Sequence, residues 1–230
     1  MILRAIKSLL AITSLAFVVS ACDSLPGRPT QAAVPLRPAD VSDFATLYKE
    51  DCSGCHGIDG KFGAALALNN PVYLSIIDDA SMRRVITTGV AGTSMPSFGQ
   101  SAGGSLTDHQ IDLLIAGIRK SWGGTPDPGA PPYSSSAAGD PSRGAEVYAS
   151  NCQPCHGADG SGGSAGSIVD PSYLALVSDQ YLRTIVIAGR SDLGHPDWKH
   201  AVSGQPLNAE QVSAVVAWIS SRRSTPIASN

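Results

Sequence analysis

The chain has 230 residues, with 16 Lys or Arg against 19 Asp or Glu, a formal charge of −3. Only 15% of residues are charged while 24 are glycine and 16 proline, which suits small, loop-rich folds. The mildly acidic balance and the lack of a basic tract exclude nucleic acid as an expected partner.

Arg4 and Lys7 precede an apolar stretch, Leu9 to Val19, that is too short to span a bilayer as a mature helix. Residues 1–21 are therefore read as a secretory signal and set aside from the fold. Val19-Ser20-Ala21-Cys22 resembles the bacterial lipoprotein processing box. That resemblance implies cleavage before Cys22 and acyl chains on its sulfur and new amino group. The other reading is an ordinary signal cut after Ala21, leaving Cys22 as a free thiol. Several acyl chains, at about 0.8 kcal/mol per buried methylene, would hold the chain firmly to a membrane. Asp23 resembles the signal that retains lipoproteins in the inner membrane of enteric bacteria. Without residues 1–21 the chain carries 14 basic against 19 acidic residues, a charge of −5. Residues 22–39, with prolines from Pro26 to Pro38, read as a tether.

From residue 40 the chain reads as two copies of one unit, residues 40–122 and 140–223, followed by a tail at 224–230. A first helix is expected over 41–50 and 142–150. Each leads into a C-x-x-C-H pentapeptide, Cys52-Ser53-Gly54-Cys55-His56 and Cys152-Gln153-Pro154-Cys155-His156, 100 residues apart. The same offset relates Tyr48 to Tyr148, Gly60 to Gly160, Pro71 to Pro171, Tyr73 to Tyr173, Arg83 to Arg183 and Gly89 to Gly189. So many matches at one register mark an internal repeat. A middle helix is expected over 79–88 and 179–188, each ending at glycine. The last helix opens on a capping pattern, Thr107-x-x-Gln110 or Asn208-x-x-Gln211. Its apolar stripe is Ile111, Leu114, Ile115 and Ile118, or Val212, Val215, Val216 and Ile219, at helical spacing. No strand-like alternation is evident. Residues 123–139 hold Pro and Gly at a density that breaks helices and ladders, so they read as a linker stiffened by proline.

C-x-x-C-H is the attachment signature of a c-type haem. Cysteines at i and i+3 share one helical face, so both can bond the two vinyl edges of one porphyrin, and the following histidine faces the iron. A thioredoxin-like pair or half a zinc site are the plainer readings of C-x-x-C. Against them stand the histidine in both copies and the distance between the thiol pairs. Two covalent haems are expected, on Cys52 and Cys55 and on Cys152 and Cys155, with His56 and His156 as axial ligands.

The chain then resembles class I cytochromes c and, as a pair, the two-domain dihaem cytochromes of bacterial periplasms, with the plan of the cytochrome subunit of flavocytochrome c sulfide dehydrogenase. The resemblance covers about residues 40–122 and 140–222. It implies an all-α protein of two tandem class I domains, each wrapped around one haem. It also implies an aromatic where first and last helices cross, for which Tyr48, Tyr148 and Trp218 suit; the first copy has Gly117 where Trp218 aligns. A distal methionine from a later loop is implied as well. Met95, followed by Pro96, fits it; Met82 falls in the middle helix and is expected in the core. His195-Pro196 stands in the second copy at the register of Met95-Pro96, so His195 is expected to ligate the second iron. His200, Lys199 or an open site are the alternatives. Arg83 and Arg183 read either as haem-propionate partners or as solvated helix residues, and His109 as a surface histidine.

A membrane-tethered, periplasm-facing carrier of single electrons between redox partner proteins is the expected function. The alternatives are a subunit of a larger membrane oxidoreductase and, with one iron open, a dihaem peroxidase.

Overall fold

The computed structural model describes residues 36–223; the signal, Cys22 and most of the tether lie outside them. Among the described residues the fold is all helical. Among the described residues the β-type pairings are isolated bridges at Gly99–Leu106 and Arg190–His195. None of the described helices is long and apolar enough to cross a membrane. Residues Pro38–Asp40 form one 3-10 turn; residues 41–223 pack as one unit.

The first half runs through α1 (Phe44–Asp51), α2 (Ser53–His56), α3 (Pro71–Ile76), α4 (Asp79–Thr88) and α5 (Asp108–Trp122). The second half repeats the order as α6 (Pro141–Asn151), α7 (Gln153–His156), α8 (Pro171–Leu176), α9 (Asp179–Ala188) and α10 (Ala209–Ser220). Side-chain caps start the helices: Asp43 accepts from the Thr46 N–H, and Asp140 from that of Ser142. The middle helices α4 and α9 stand where the periodicity places them, capped by Asp78 and Ser178. Both stop at a glycine with positive φ, 65° at Gly89 and 67° at Gly189. Thr107 with Gln110 and Asn208 with Gln211 close full capping boxes on α5 and α10.

The short helices α3 and α8 were not expected from periodicity, because six residues are too few to show one. Their signal is local. Asn70 accepts from the N–H groups of Val72 and Tyr73, and Asp170 from those of Ser172 and Tyr173, and the intervening Pro71 and Pro171 are favourable at the first helical position.

The apolar stripes of the last helices become core. Ile111, Leu114, Ile115 and Ile118 are buried against Leu47, Tyr48, Leu74 and Met82, so Met82 is a core residue. Val215, Val216 and Ile219 pack with Tyr148, Leu174 and Trp218. Each such side chain contributes about 1.5–3 kcal/mol by leaving water. A third cluster of Ile187, Trp198, Leu207 and Val212 receives Val72 and Ile76 from the first half and Ala130 from the connecting segment. The halves are thereby joined by apolar contact.

The helix crossings are packed in opposite senses. In the first half the ring of Phe44 on α1 lies over Gly117 on α5, where a Cβ would come within 2.1 Å of it. In the second half glycine is on the first helix: a Cβ on Gly144 would meet the Ala214 carbonyl at 2.1 Å and the Trp218 Cβ at 2.7 Å. Trp122 meets Tyr48 edge-on at 5.1 Å, whereas Trp218 stacks on Tyr148 at 4.1 Å.

Residues 123–139 form no helix, as expected, but they are clamped rather than free. Arg183 donates from Nη2 to the Pro132 carbonyl at 2.8 Å and from Nε to that of Tyr133 at 3.2 Å. Gln180 Nε2 reaches the Tyr133 carbonyl at 2.7 Å, and Lys199 Nζ pairs with Asp127 at 2.5 Å.

Candidate functional site

Each C-x-x-C-H segment winds into a single turn at the end of the first helix. Cys52 and Cys152 accept the handover: their N–H groups bond back to Tyr48 and Tyr148, and the His56 and His156 N–H groups bond to their carbonyls. One thiol of each pair is part-buried and the other exposed. Burial pushes the Cys52 thiol up to about 12 and that of Cys152 to about 11.

A glycine-rich loop folds beneath each turn. Tyr48 Oη donates to the Gly57 carbonyl at 2.9 Å, and Tyr148 Oη to that of Gly157 at 2.5 Å. The positive φ of Gly57, 82°, lets Lys61 O approach to where a Cβ would be only 1.8 Å away. At its far end the loop supplies one carbonyl to each histidine: Leu66 O lies 2.7 Å from His56 Nδ1, and Gly166 O lies 3.0 Å from His156 Nδ1. A carbonyl oxygen only accepts, so Nδ1 carries the proton and Nε2 keeps its lone pair for a ligand. Sequence patterns could not reveal these carbonyls, since any residue type supplies one.

The loop after each middle helix has one frame in both halves. The Val90 N–H bonds to Met95 O, and the Arg190 N–H to His195 O. Gly89 and Gly189 sit so close to the following proline that a Cβ would come within 2.5 Å of Pro96 C or 2.6 Å of Pro196 O. Met95 and His195 thus occupy equivalent places, both half-buried. His195 Nδ1 lies 2.8 Å from the Pro196 carbonyl, which again leaves Nε2 as the free nitrogen. Burial, above all, depresses the pKa of His195 and of His56; the Arg190 cation adds to this in both.

The His156 and His195 rings lie with centres 6.1 Å apart and planes tilted by 49°. A metal bonded to both Nε2 atoms at about 2 Å each sets ring centres roughly 6 Å apart, so the pair fits two ligands on one ion. Two nitrogens make an incomplete set. Among the described residues no three or more His, Cys, Asp or Glu side chains gather as a metal site. A pair of imidazole nitrogens is a donor set that suits an ion whose other positions come from a macrocycle, as in haem.

The remaining candidates lie elsewhere. The His200 side chain is 74% exposed and bonds to Asp197. Lys199 is engaged by Asp127. Arg83 on α4 pairs with Asp112 on α5. The Arg183 guanidinium is buried and bonds to the carbonyls of Pro132 and Tyr133 and to the Ser213 hydroxyl. His109 is exposed. Arg190 and Asp192, which the repeat register did not single out, form a buried pair beside His195.

A family model described as "Cytochrome C oxidase, cbb3-type, subunit III" matches residues 39–116 and again 139–219. The chain belongs to this family. It is thus a c-type cytochrome with a role in electron transfer. The Cbb3-type cytochrome c oxidase subunit CcoP of Azospirillum sp. (strain B510) is 29% identical over 134 residues, covering 54% of this chain. The match spans 41% of that relative's length. Among solved structures, the Kuenenia stuttgartiensis reducing HAO-like protein complex Kustc0457/Kustc0458 is 17% identical. It covers 83% of this chain and 100% of its own at a TM-score of 0.47. Dihydro-heme d1 dehydrogenase NirN in complex with DHE is 28% identical, covering 49% of this chain and 20% of its own at a TM-score of 0.30. At these TM-scores neither likeness bears on the fold or the function.

Proposed function

We propose that this chain is the dihaem electron-transfer subunit of a larger membrane oxidoreductase, standing on the periplasmic side of the membrane. The family match favours a subunit over a free carrier. The observation that carries the two-haem reading is the pair of histidine turns, each with Nδ1 held by a loop carbonyl, one of them with a second imidazole ring centred 6.1 Å away. Cys52 and Cys55 would hold one haem c by thioether bonds and Cys152 and Cys155 the other. The axial pairs would be His56 with Met95 and His156 with His195. Domain boundaries at 40–122 and 140–223 go with this reading, as does acylation of Cys22.

Bound haem would supply a one-electron ferric–ferrous couple. The chain's own residues do the rest. The carbonyls of Leu66 and Gly166 orient the histidine rings, and the Gly89 and Gly189 frames hold the loops that carry Met95 and His195. A peroxidase needs an open coordination position, whereas in this reading both frames would offer a ligand.

Absorbance and mass of the purified holo-protein test this. Two covalent haems, both low-spin, with the near-infrared methionine band from only one, are expected. Two methionine bands, or an unaltered spectrum in His195→Ala, would refute the ligand assignment. The mass of the mature N-terminus tests the anchor: acyl chains are expected on Cys22, and a Cys22 without them would overturn it; a Cys22→Ser variant still membrane-bound after a salt wash would be held by an uncleaved signal or a partner complex.

A further inference from the structure

The two copies part company in the loop that carries Met95 in one and His195 in the other: Val90 and Gly92 of the first are Arg190 and Asp192 in the second. Both charged side chains are buried, 9% and 4% exposed, and pair at 2.9 Å. A buried ion pair persists only where its remaining hydrogen-bonding capacity is met, and here the first copy meets it. Arg190 Nη2 donates to Gly63 O at 3.0 Å, and the Phe62 N–H donates to Asp192 Oδ2 at 2.8 Å. Phe62 stands in the left-handed region at φ 62°, a strained backbone for an aromatic residue. Its ring is 67% exposed, so ring burial does not account for the strain, whereas the bond to Asp192 does.

Both ends of this bridge reach the histidine-bearing segments. Gly63 lies so close beneath the first turn that a Cβ would come 2.2 Å from Cys55 O and 2.6 Å from His56 C. Arg190 and His195 exchange both backbone hydrogen bonds, at 3.1 and 3.0 Å. Beside them Asn70 Nδ2 donates to the Ala188 carbonyl at 2.9 Å, tying the start of α3 to the end of α9.

We infer that the Arg190–Asp192 pair couples the two iron sites: it fixes the first site's histidine turn against the second site's ligand loop and so sets the rate at which one electron passes between them. This rests on the two-haem reading. In the step one iron is oxidised as the other is reduced, and no proton, bond change or co-reactant takes part. Arg190 and Asp192 are positioning residues.

The test compares holo wild type with Arg190→Gln, Asp192→Asn and the double variant Arg190→Met/Asp192→Leu. The double change removes both buried charges together, which folds tolerate better than removing one. After injection of one electron by pulse radiolysis, exchange between the two haem signals should slow about tenfold in each, a usual size for a lost coupling. Low-spin spectra and the single methionine band should stay as in wild type. An unchanged exchange rate in the folded double variant, with both haems present, would overturn the coupling. Slowing accompanied by loss of bis-histidine ligation would assign the pair to holding His195 alone, and overturns it too. A wild-type chain with fewer than two covalent haems would instead overturn the function proposed above, and the coupling with it.

Discussion

His195 stands where Met95 does, so with haem bound as proposed a single exchange within a repeated frame would change the chemistry of the site. Met95 and His195 are presented by the same glycine, the same cross-loop hydrogen bond and the same following proline. The donor atom differs, and so does the Arg190–Asp192 pair beside it. A thioether favours ferrous iron and raises the potential, whereas imidazole does not. The second haem should therefore titrate below the first, and electrons should run from the haem on Cys152 and Cys155 to that on Cys52 and Cys55. His195→Met is expected to raise the lower step of a redox titration and add a second near-infrared methionine band. A titration with both steps unmoved would contradict it. The equivalence of the two loop positions was legible in the sequence because the register holds through the loop. Register does not carry surroundings with it: Arg183 matches Arg83, yet the connecting segment runs past α9 and takes the Arg183 donors, while Arg83 pairs with Asp112.

Among the elements, the two crossings reach one architecture by exchanged side chains. Phe44 over Gly117 answers Gly144 beneath Trp218. The arginine that ties the last helix down is exchanged as well. Arg119 binds the carbonyls of Leu74 and Ile77, and Arg223 those of Leu174 and Val177, from different positions along the chain. Glycine at a crossing is readable only as a gap in the apolar stripe; which partner fills it depends on the facing helix. The two glycines differ in what they face. An added methyl at Gly144 meets backbone, the Ala214 carbonyl at 2.1 Å, whereas one at Gly117 meets the Phe44 ring, which can turn aside. Overpacking a core costs about 1–3 kcal/mol, so Gly144→Ala should lie at or beyond the upper end and Gly117→Ala nearer the lower. Phe44→Leu should recover part of the loss in Gly117→Ala. Urea midpoints measure this; equal losses in both glycine variants would contradict it.

Across the whole molecule, the acid limb of stability should report the junction between halves. The hydrogen bond from Arg190, foremost, holds the Asp192 carboxyl down at about 2, from an ordinary 3.8. A carboxyl depressed in the folded state contributes its full share of stability above its unfolded value and loses it as pH falls through the folded one. That share should fade between about pH 4 and pH 2. Asp192→Asn should be less stable than wild type at neutral pH and show a shallower decline across that window in urea midpoints. Parallel pH profiles for the two proteins would contradict the assignment.

The clamped segment at 123–139 bears on how the protein comes apart. Tyr133 packs into the first half's core while its carbonyl and that of Pro132 bind side chains of α9, so neither half can unravel without stripping contacts from the other. Two modules strung on a slack linker would melt as two events. Here calorimetry of the holo-protein should show one transition, with van't Hoff and calorimetric enthalpies equal for the whole chain. A nick introduced between Pro132 and Asp140 should leave that single transition in place, because cohesion resides in the packing rather than in the continuity of the peptide.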